Sequence, residues 1–152
     1  MALQVDTGRF TVGVFQDVAW AEKGIEALRR QGFAVESLSI IGKAAPELAA
    51  LFDRTLGAAE TIEIHDLGTA LARGPIVAAL QGADNGLTKL GIAATMRRVG
   101  FQAHDGRIFD VLTGRGGVLV AIHSEPRAAD ALAVLHSYGG GNAAIGAWSG
   151  RV

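Results

Sequence analysis

The chain contains no cysteine. That absence removes any disulfide framework and any zinc, iron–sulfur or redox centre held by thiolates. An excess of one charge is also missing: 14 basic and 15 acidic side chains leave a net charge of −1. Nothing here draws a phosphate backbone, and Arg97 with Arg98 is a local pair, not a basic stripe. Long apolar runs are lacking as well. The most suspicious one, residues 75–80, is flanked by Arg73 and Asp84 and falls far short of the ~20 residues that span a bilayer. The opening MALQVDTGRF has neither the basic stretch nor the apolar centre of a secretory signal, so a cytoplasmic protein without a transmembrane segment is expected. Charged residues are scarce, at 19% of the chain against a typical ~25%, while hydrophobic residues reach 49%. A chain short of surface charge tends to hide surface in a partner, which points to a homo-oligomer.

What the sequence does have is the same unit written twice. Residues 11–42 lie without a gap on residues 118–149, each running apolar strand, capped helix, glycine stop and second apolar segment. In the first copy Val12, Val14 and Phe15 begin a strand and Asp17 is placed to cap a helix. Val18, Ala21, Ile25 and Leu28 then recur at helical spacing, and Glu26 with Arg30 has the favourable i, i+4 orientation. Gly32 ends the helix, and residues 34–41 alternate as a strand. In the second copy residues 118–122 are the strand, Ser124 the cap and Pro126 a first-turn residue. Ala128, Ala131, Leu132 and Leu135 form the stripe and Gly139 is the stop; one constant offset relates Ala21 to Ala128, Leu28 to Leu135 and Gly32 to Gly139.

Two such βαβ units, each with a right-handed crossover, place four strands in one sheet with both helices on one face. The expected class is α+β, a ferredoxin-like α/β sandwich forming a single domain. Its units are residues 11–42 and 116–149, separated by a mainly helical insert at 43–115, too long for a structureless loop. Within the insert, residues 46–53 suit a short helix showing Leu48, Leu51 and Phe52, and residues 61–65 an edge strand with Ile62 and Ile64 on one side. Gly74-Pro75 opens a further short helix that Gly82 ends. Asp84 or Asn85 is expected to cap a longer helix through Leu87, Leu90, Ala94 and Met96 to Gly100. Asp105 is expected to cap the next, through Ile108, Phe109 and Leu112 to Gly114. This last pair reads as a helical hairpin packed on the sandwich or projecting from it.

The GVFQD start, the alanines and Leu28 before Gly32-Phe33, and the following SLSIIG resemble the opening of the general stress protein 17M-like family. The middle GTALARGPIVAALQGA and the closing GGVLVAIHSE with its alanine-rich helix resemble that family's later segments. The resemblance implies a bacterial, stress-associated protein and brings no catalytic residues with it. Arg73, Asp84 and Lys89 interrupt the middle stretch, which argues against membrane association.

Candidate sites are few. The 4 histidines, His65, His104, His123 and His136, have Asp66 and Asp105 near them in sequence but lack the spacing of a ligand set. No metal or cofactor is expected, and these residues are read as strand ends and helix termini. The turn at Gly114, Arg115 and Gly116 can offer backbone donors and one positive charge to an anion. It lacks the spacing of a phosphate loop and leads into a strand, which favours a plain turn. Residues 139–141, three glycines, need be no more than a flexible turn. Gly82, Gly86 and Gly91 permit close helix approach, inside a hairpin or at an oligomer seam. Trp20 and Trp148 are the candidate contact residues, large rings being common in interface hot spots.

No nucleophile with a base, carboxylate pair or dinucleotide fingerprint emerges. Ser124 is adjacent to His123 in sequence only, since neighbouring strand residues face opposite ways. The leading expectation is a non-catalytic protein acting through oligomerisation or protein contacts. The alternatives are a small-molecule-binding regulatory module and an enzyme with a pocket on the sheet face. Native mass spectrometry at micromolar concentration should show an oligomer, reduced by Trp20→Ala or Trp148→Ala; a clean monomer overturns the first expectation, and an unchanged mass in both variants the second.

Overall fold

A computed structural model describes residues 10–123, 128–137 and 144–146. Strand β1 (Phe10–Phe15) passes through Asp17 into helix α1 (Val18–Arg30). The Asp17 carboxylate accepts a hydrogen bond from the Trp20 N–H at 2.9 Å, meeting one of the donors that a helix start leaves unpaired. Ala21, Ile25 and Leu28 are buried as the stripe predicts. Gly24 is buried with them, directly over the Phe15 ring, so α1 rides close to the sheet. Arg29 and Arg30 occupy the last turn, where the helix dipole favours positive charge.

The strand expected at residues 34–41 begins later. Val35–Ser37 forms a 3-10 turn and β2 runs Leu38–Lys43. The Ser37 hydroxyl donates to the Ala34 carbonyl at 2.6 Å, a local bond that competes with extended pairing. Helix α2 (Pro46–Arg54) follows as expected, with Leu48, Leu51 and Phe52 buried. Arg54 grips Glu22 of α1 through two bonds of 2.8 and 2.9 Å, tying the helices together.

Strand β3 (Glu60–Ile64) is the expected edge strand, but its neighbour, β4 (Gly68–Arg73), is absent from the sequence reading. Its GTALAR has a single β-branched residue, and pairing with β2 on one side and β3 on the other makes it a strand. Helices α3 (Pro75–Gln81), α4 (Gly86–Arg98) and α5 (Ala103–Gly114) complete the insert. Then come β5 (Val118–His123), α6 (Ala128–Ser137) and β6 (Ala144–Gly146). The expected cap Ser124, Pro126 and the glycines from 139 to 141 lie outside the described residues.

The protein is a mixed α/β structure around a 6-stranded sheet of order β3-β4-β2-β5-β1-β6, antiparallel at every pairing. Strand β5 lies between β1 and β2, with Val12 opposite Ala121 and Ile40 opposite Val120, so β1 and β2 run parallel to each other. Phe15, Leu38, Ile40, Val118, Val120 and Ile122 pack against α1, α2 and α6 on one face. Phe10, Val12, Val14, Ile41, Leu119 and Ala121 pack on the other against Ile76 and Leu80 of α3, Leu87, Ile92 and Met96 of α4 and Phe109 of α5. Helices α3, α4 and α5 of the insert therefore lie flat on the sheet as a third layer, while α2 joins α1 and α6 and β3 and β4 extend the sheet.

Helix α4 is not the continuous helix expected. It breaks at Gly91 (φ 91°, ψ −178°), where the His65 carbonyl leaves no room for a Cβ and the His65 N–H donates to the Thr88 carbonyl at 3.1 Å. The end of β3 thus wedges into the helix, and Leu90, expected on the apolar stripe, is 49% exposed. Neither Asp84 nor Asn85 caps α4 with its side chain; Gln81 instead accepts from the Thr88 N–H at 3.2 Å. Likewise Asp105 lies within the first turn of α5, which starts after Gln102.

At the start of α3, Gly74 (φ 121°) crosses directly over β2, and a Cβ there would overlap Ser39 and the Leu38 carbonyl. The buried Ser39 hydroxyl accepts from the Ile76 N–H at 3.0 Å and caps α3 from the sheet. Gly74→Ala should cost about 3 kcal/mol or more in urea unfolding. Gly68→Ala, at φ 93° with open space around it, should cost about 1 kcal/mol; equal losses would overturn this reading.

Candidate functional site

With helices on both sheet faces, open space lies at the ends of the sheet. A groove of about 670 Å³ forms where β2 begins and β4 ends. The 3-10 turn brings Val35 and Glu36, β2 brings Leu38, and the α2–β3 connection brings Leu56. Strand β3 contributes Glu60 and Ile62, β4 ends in Arg73 and Gly74, and α3 adds Val77, Ala78 and Gln81. Leu38 and Val77 are buried, Leu56 and Ile62 half-buried, and Glu36, Glu60 and Arg73 exposed, so the lining is mixed; the strand register puts Arg73 on the Leu38 face of the sheet and Glu60 with Ile62 on the other. One Arg73 amino group donates to the Ala58 carbonyl at 2.8 Å, which steadies the guanidinium over the α2–β3 connection.

A second groove, about 370 Å³, lies at the other end of the sheet, against the first turns of α1 and α2. Lys43, Asp17, Glu47, Gly116 and Gly117 are among its lining residues, and the Asp17 carboxylate is already committed to capping α1.

A cluster of titratable groups surrounds the break in α4. His65 Nε2 and Asp66 Oδ2 are 3.5 Å apart, both exposed. Half-buried Asp110 on α5 has its carboxyl pushed above the ordinary 3.8 by burial and by the Asp66 charge, with His65 opposing. Among the described residues, no group of three histidine, aspartate or glutamate side chains is gathered to hold a metal ion. His104 and His123 are exposed on separate elements, and the His123 ring lies 5.0 Å from that of Phe10. His136 falls on α6, its side chain outside the described residues.

The turn Gly114, Arg115 and Gly116 is the end of α5. The Arg115 N–H donates to the Val111 and Leu112 carbonyls, that of Gly116 to Thr113, and that of Gly117 to Leu112, at 2.9 to 3.1 Å. The N–H donors of Arg115, Gly116 and Gly117 are spent on the helix, whose C-terminal dipole repels negative charge, which fits the plain turn that the sequence favours. Gly82 and Gly86 are not a helix seam: they seat the Arg98 guanidinium, which donates to Asp84 at 3.0 Å and to the Leu80 carbonyl at 2.9 Å. Trp20 is 37% exposed on α1 with the Lys23 ammonium 4.7 Å from its ring centroid, while Trp148 lies outside the described residues.

Sequence reasoning missed Glu36, Glu60 and Arg73. They come from separate elements with no common spacing, and the overlooked β3–β4 pairing is what brings Glu60 beside the end of β4. No protein-family model matches this chain, nor does any curated protein or solved structure. Because Asp110 is harder to ionise when folded, its charge lowers stability above pH 3.8, and the penalty vanishes once the group is protonated in both states. Asp110→Asn should therefore raise the thermal midpoint at pH 7, with the gain fading toward pH 3; a gain independent of pH would overturn this account.

Proposed function

We propose that this protein is a non-catalytic module that binds a small molecule, built on a ferredoxin-like core. The order β2-β5-β1-β6 with α1 and α6 on one face supports that reading of the core. The observation that carries the function is the groove of about 670 Å³ at the end of the sheet beside α3, a volume within the range of small-molecule sites. An enzyme using the sheet face is disfavoured, because strands β1, β2 and β5 are buried against helices on both sides. Among the described residues lining the groove there is no serine, threonine or histidine to act as a nucleophile or an imidazole base.

The contact-protein reading keeps one supporting observation, the exposed Trp20 with Lys23 against its ring. A bacterial, stress-associated role and a cytoplasmic location are proposals from the resemblance and the composition. They fit a chain in which no helix among the described residues is long and apolar enough to cross a membrane.

Binding can be tested with a protein-free small-molecule extract of bacterial cells. It should shift the amide resonances of Val35, Ile62 and Val77 in the natural protein. In Ala78→Trp, where the ring fills the groove from exposed α3, the shifts should be lost with the fold intact. An absence of shifts, or shifts confined to other regions, would overturn the proposal.

A further inference from the structure

Strand β3 stands at one end of the sheet order and pairs with β4 along one edge only. Which backbone groups reach its outer edge follows from its last turn. The Ile64 carbonyl accepts from the Leu67 N–H at 3.0 Å inside the β3–β4 hairpin, so Ile64 turns its backbone groups toward β4. The next N–H, that of His65, faces away and donates to the Thr88 carbonyl of α4 at 3.1 Å. Alternate residues of a strand turn their N–H and C=O to opposite edges. Glu60 and Ile62 therefore bond to β4 as Ile64 does, while Thr61 and Glu63, both exposed, present theirs to the open side. Such an edge is a template for another strand.

Its residues fit a second copy running antiparallel. Only residues that face the edge on both strands exchange backbone bonds across it, which leaves symmetric registers centred on Thr61, Ile62 or Glu63. Centred on Glu63, two carboxylates oppose each other and Thr61 needs the His65 N–H, already spent on Thr88. Centred on Thr61, Glu63 lies opposite Ala59, which precedes the strand. Centred on Ile62, Thr61 of each copy lies opposite Glu63 of the other, and both of these pairs exchange their backbone bonds. The same residue types already meet inside the chain, where the Thr69 hydroxyl donates to Glu63 Oε2 at 2.6 Å across the β3–β4 ladder. On the opposite face half-buried Ile62 meets its own copy and Glu60 lies opposite Ile64, so no two carboxylates are opposed.

We propose that β3 is a self-pairing edge: two copies of this chain join their β3 strands antiparallel about Ile62, and the sheet continues from one copy into the other. A foreign strand would gain the same backbone bonds, but the hydroxyl-to-carboxylate match needs threonine and glutamate two residues apart, which β3 itself carries. The seam goes beyond the ligand-binding reading and does not depend on it. Strand β3 has 5 residues and Thr88 closes the edge at His65, so the contact is short and the dimer weak, with a Kd of about 1–10 μM.

Sedimentation velocity on the full chain, from about 0.1 μM to about 100 μM, should show monomer passing into dimer. Thr61 is exposed, so a charge placed there tests the register without entering the core. Thr61→Lys faces Glu63 across the seam and should tighten the dimer about tenfold, because symmetry repeats the contact; Thr61→Glu faces a like charge and should weaken it by about as much. The chain has no cysteine, so Ile62→Cys supplies a single thiol per copy. Oxidation should join two copies through it, since directly opposed residues that exchange no backbone bonds bring their Cα atoms to ~4.5 Å, within disulfide reach. An unchanged urea midpoint confirms that each variant is folded. A monomer at every concentration overturns the proposal, as does a dimer that neither Thr61 variant alters. If both Thr61 variants weaken the dimer and Ile62→Cys fails to cross-link, the pairing about Ile62 is wrong.

Discussion

A sheet whose inner strands are apolar on both sides cannot leave either side in water. In β1 the alternation sends Phe10, Val12 and Val14 one way and Phe15 the other; in β5 it sends Leu119 and Ala121 one way and Val118, Val120 and Ile122 the other. Antiparallel sheets commonly keep one polar face; here the outer strands β3 and β4 do, with Thr61, Glu63 and Thr69 exposed, and the inner strands do not. Each uncovered apolar side chain would forgo about 1.5–3 kcal/mol of burial, so both faces need a helical layer. The repeated units supply one layer, with α1 and α6. The insert supplies the other, which is why Ile76, Leu80, Leu87, Ile92 and Phe109 are fully buried although they lie between the repeats. Close approaches follow from the same need: β2 must pass beneath Gly74, and the end of β3 must press into α4 at Gly91.

Sealing both faces also decides where chemistry can occur. The remaining space is at the ends of the sheet, where strands stop and loops turn, and the charged groups found there are exposed. Exposed charges in a high dielectric can recognise a ligand by sign, yet they lack the buried, preorganised setting that stabilises a transition state. The groove at Arg73 has that character. So do the ties that hold the helical layers, the Glu22–Arg54 pair between α1 and α2 and the pair of Asp84, in the α3–α4 connection, with Arg98 at the end of α4, both at the surface. They steady the layers in water, while the apolar interior does most of the work of holding them to the sheet.

Features with local causes were legible in the sequence. The Asp17 cap, the stripe Ala21, Ile25 and Leu28, and the apolar side of α2 follow from spacing within one turn or two, and each stands where the spacing puts it. Features with distant causes were not. Alanine-rich β4 becomes a strand because β2 and β3 flank it; the break in α4 comes from a carbonyl of His65; α3 is capped by Ser39, from another layer. The groove belongs to this second kind. Glu36, Glu60 and Arg73 share no element, and nothing in their spacing announces that one cavity collects them. Arg115 is instructive in the opposite direction: its glycine neighbours suggest free donors, but the helix before them consumes those donors.

The repeat explains why the insert stands where it does. Two βαβ units that interleave with both helices on one face leave the other face bare. The chain leaving β2 must return to the middle of the sheet as β5, since β5 lies between β1 and β2. A connection at that point is therefore the one stretch able to cross the bare face on its way back, and α3, α4 and α5 do so. The groove sits on the resulting junction: Glu36 and Leu38 belong to the first unit, whereas Glu60, Ile62, Arg73 and Val77 belong to the insert. Of these, Glu60, Ile62 and Arg73 are strand residues of the sheet itself, and Val77 comes from the helical layer laid on it. A ligand that bound this junction in the folded chain alone would add to its stability by mass action, because the lining exists only when strands β2, β3 and β4 and helix α3 are assembled.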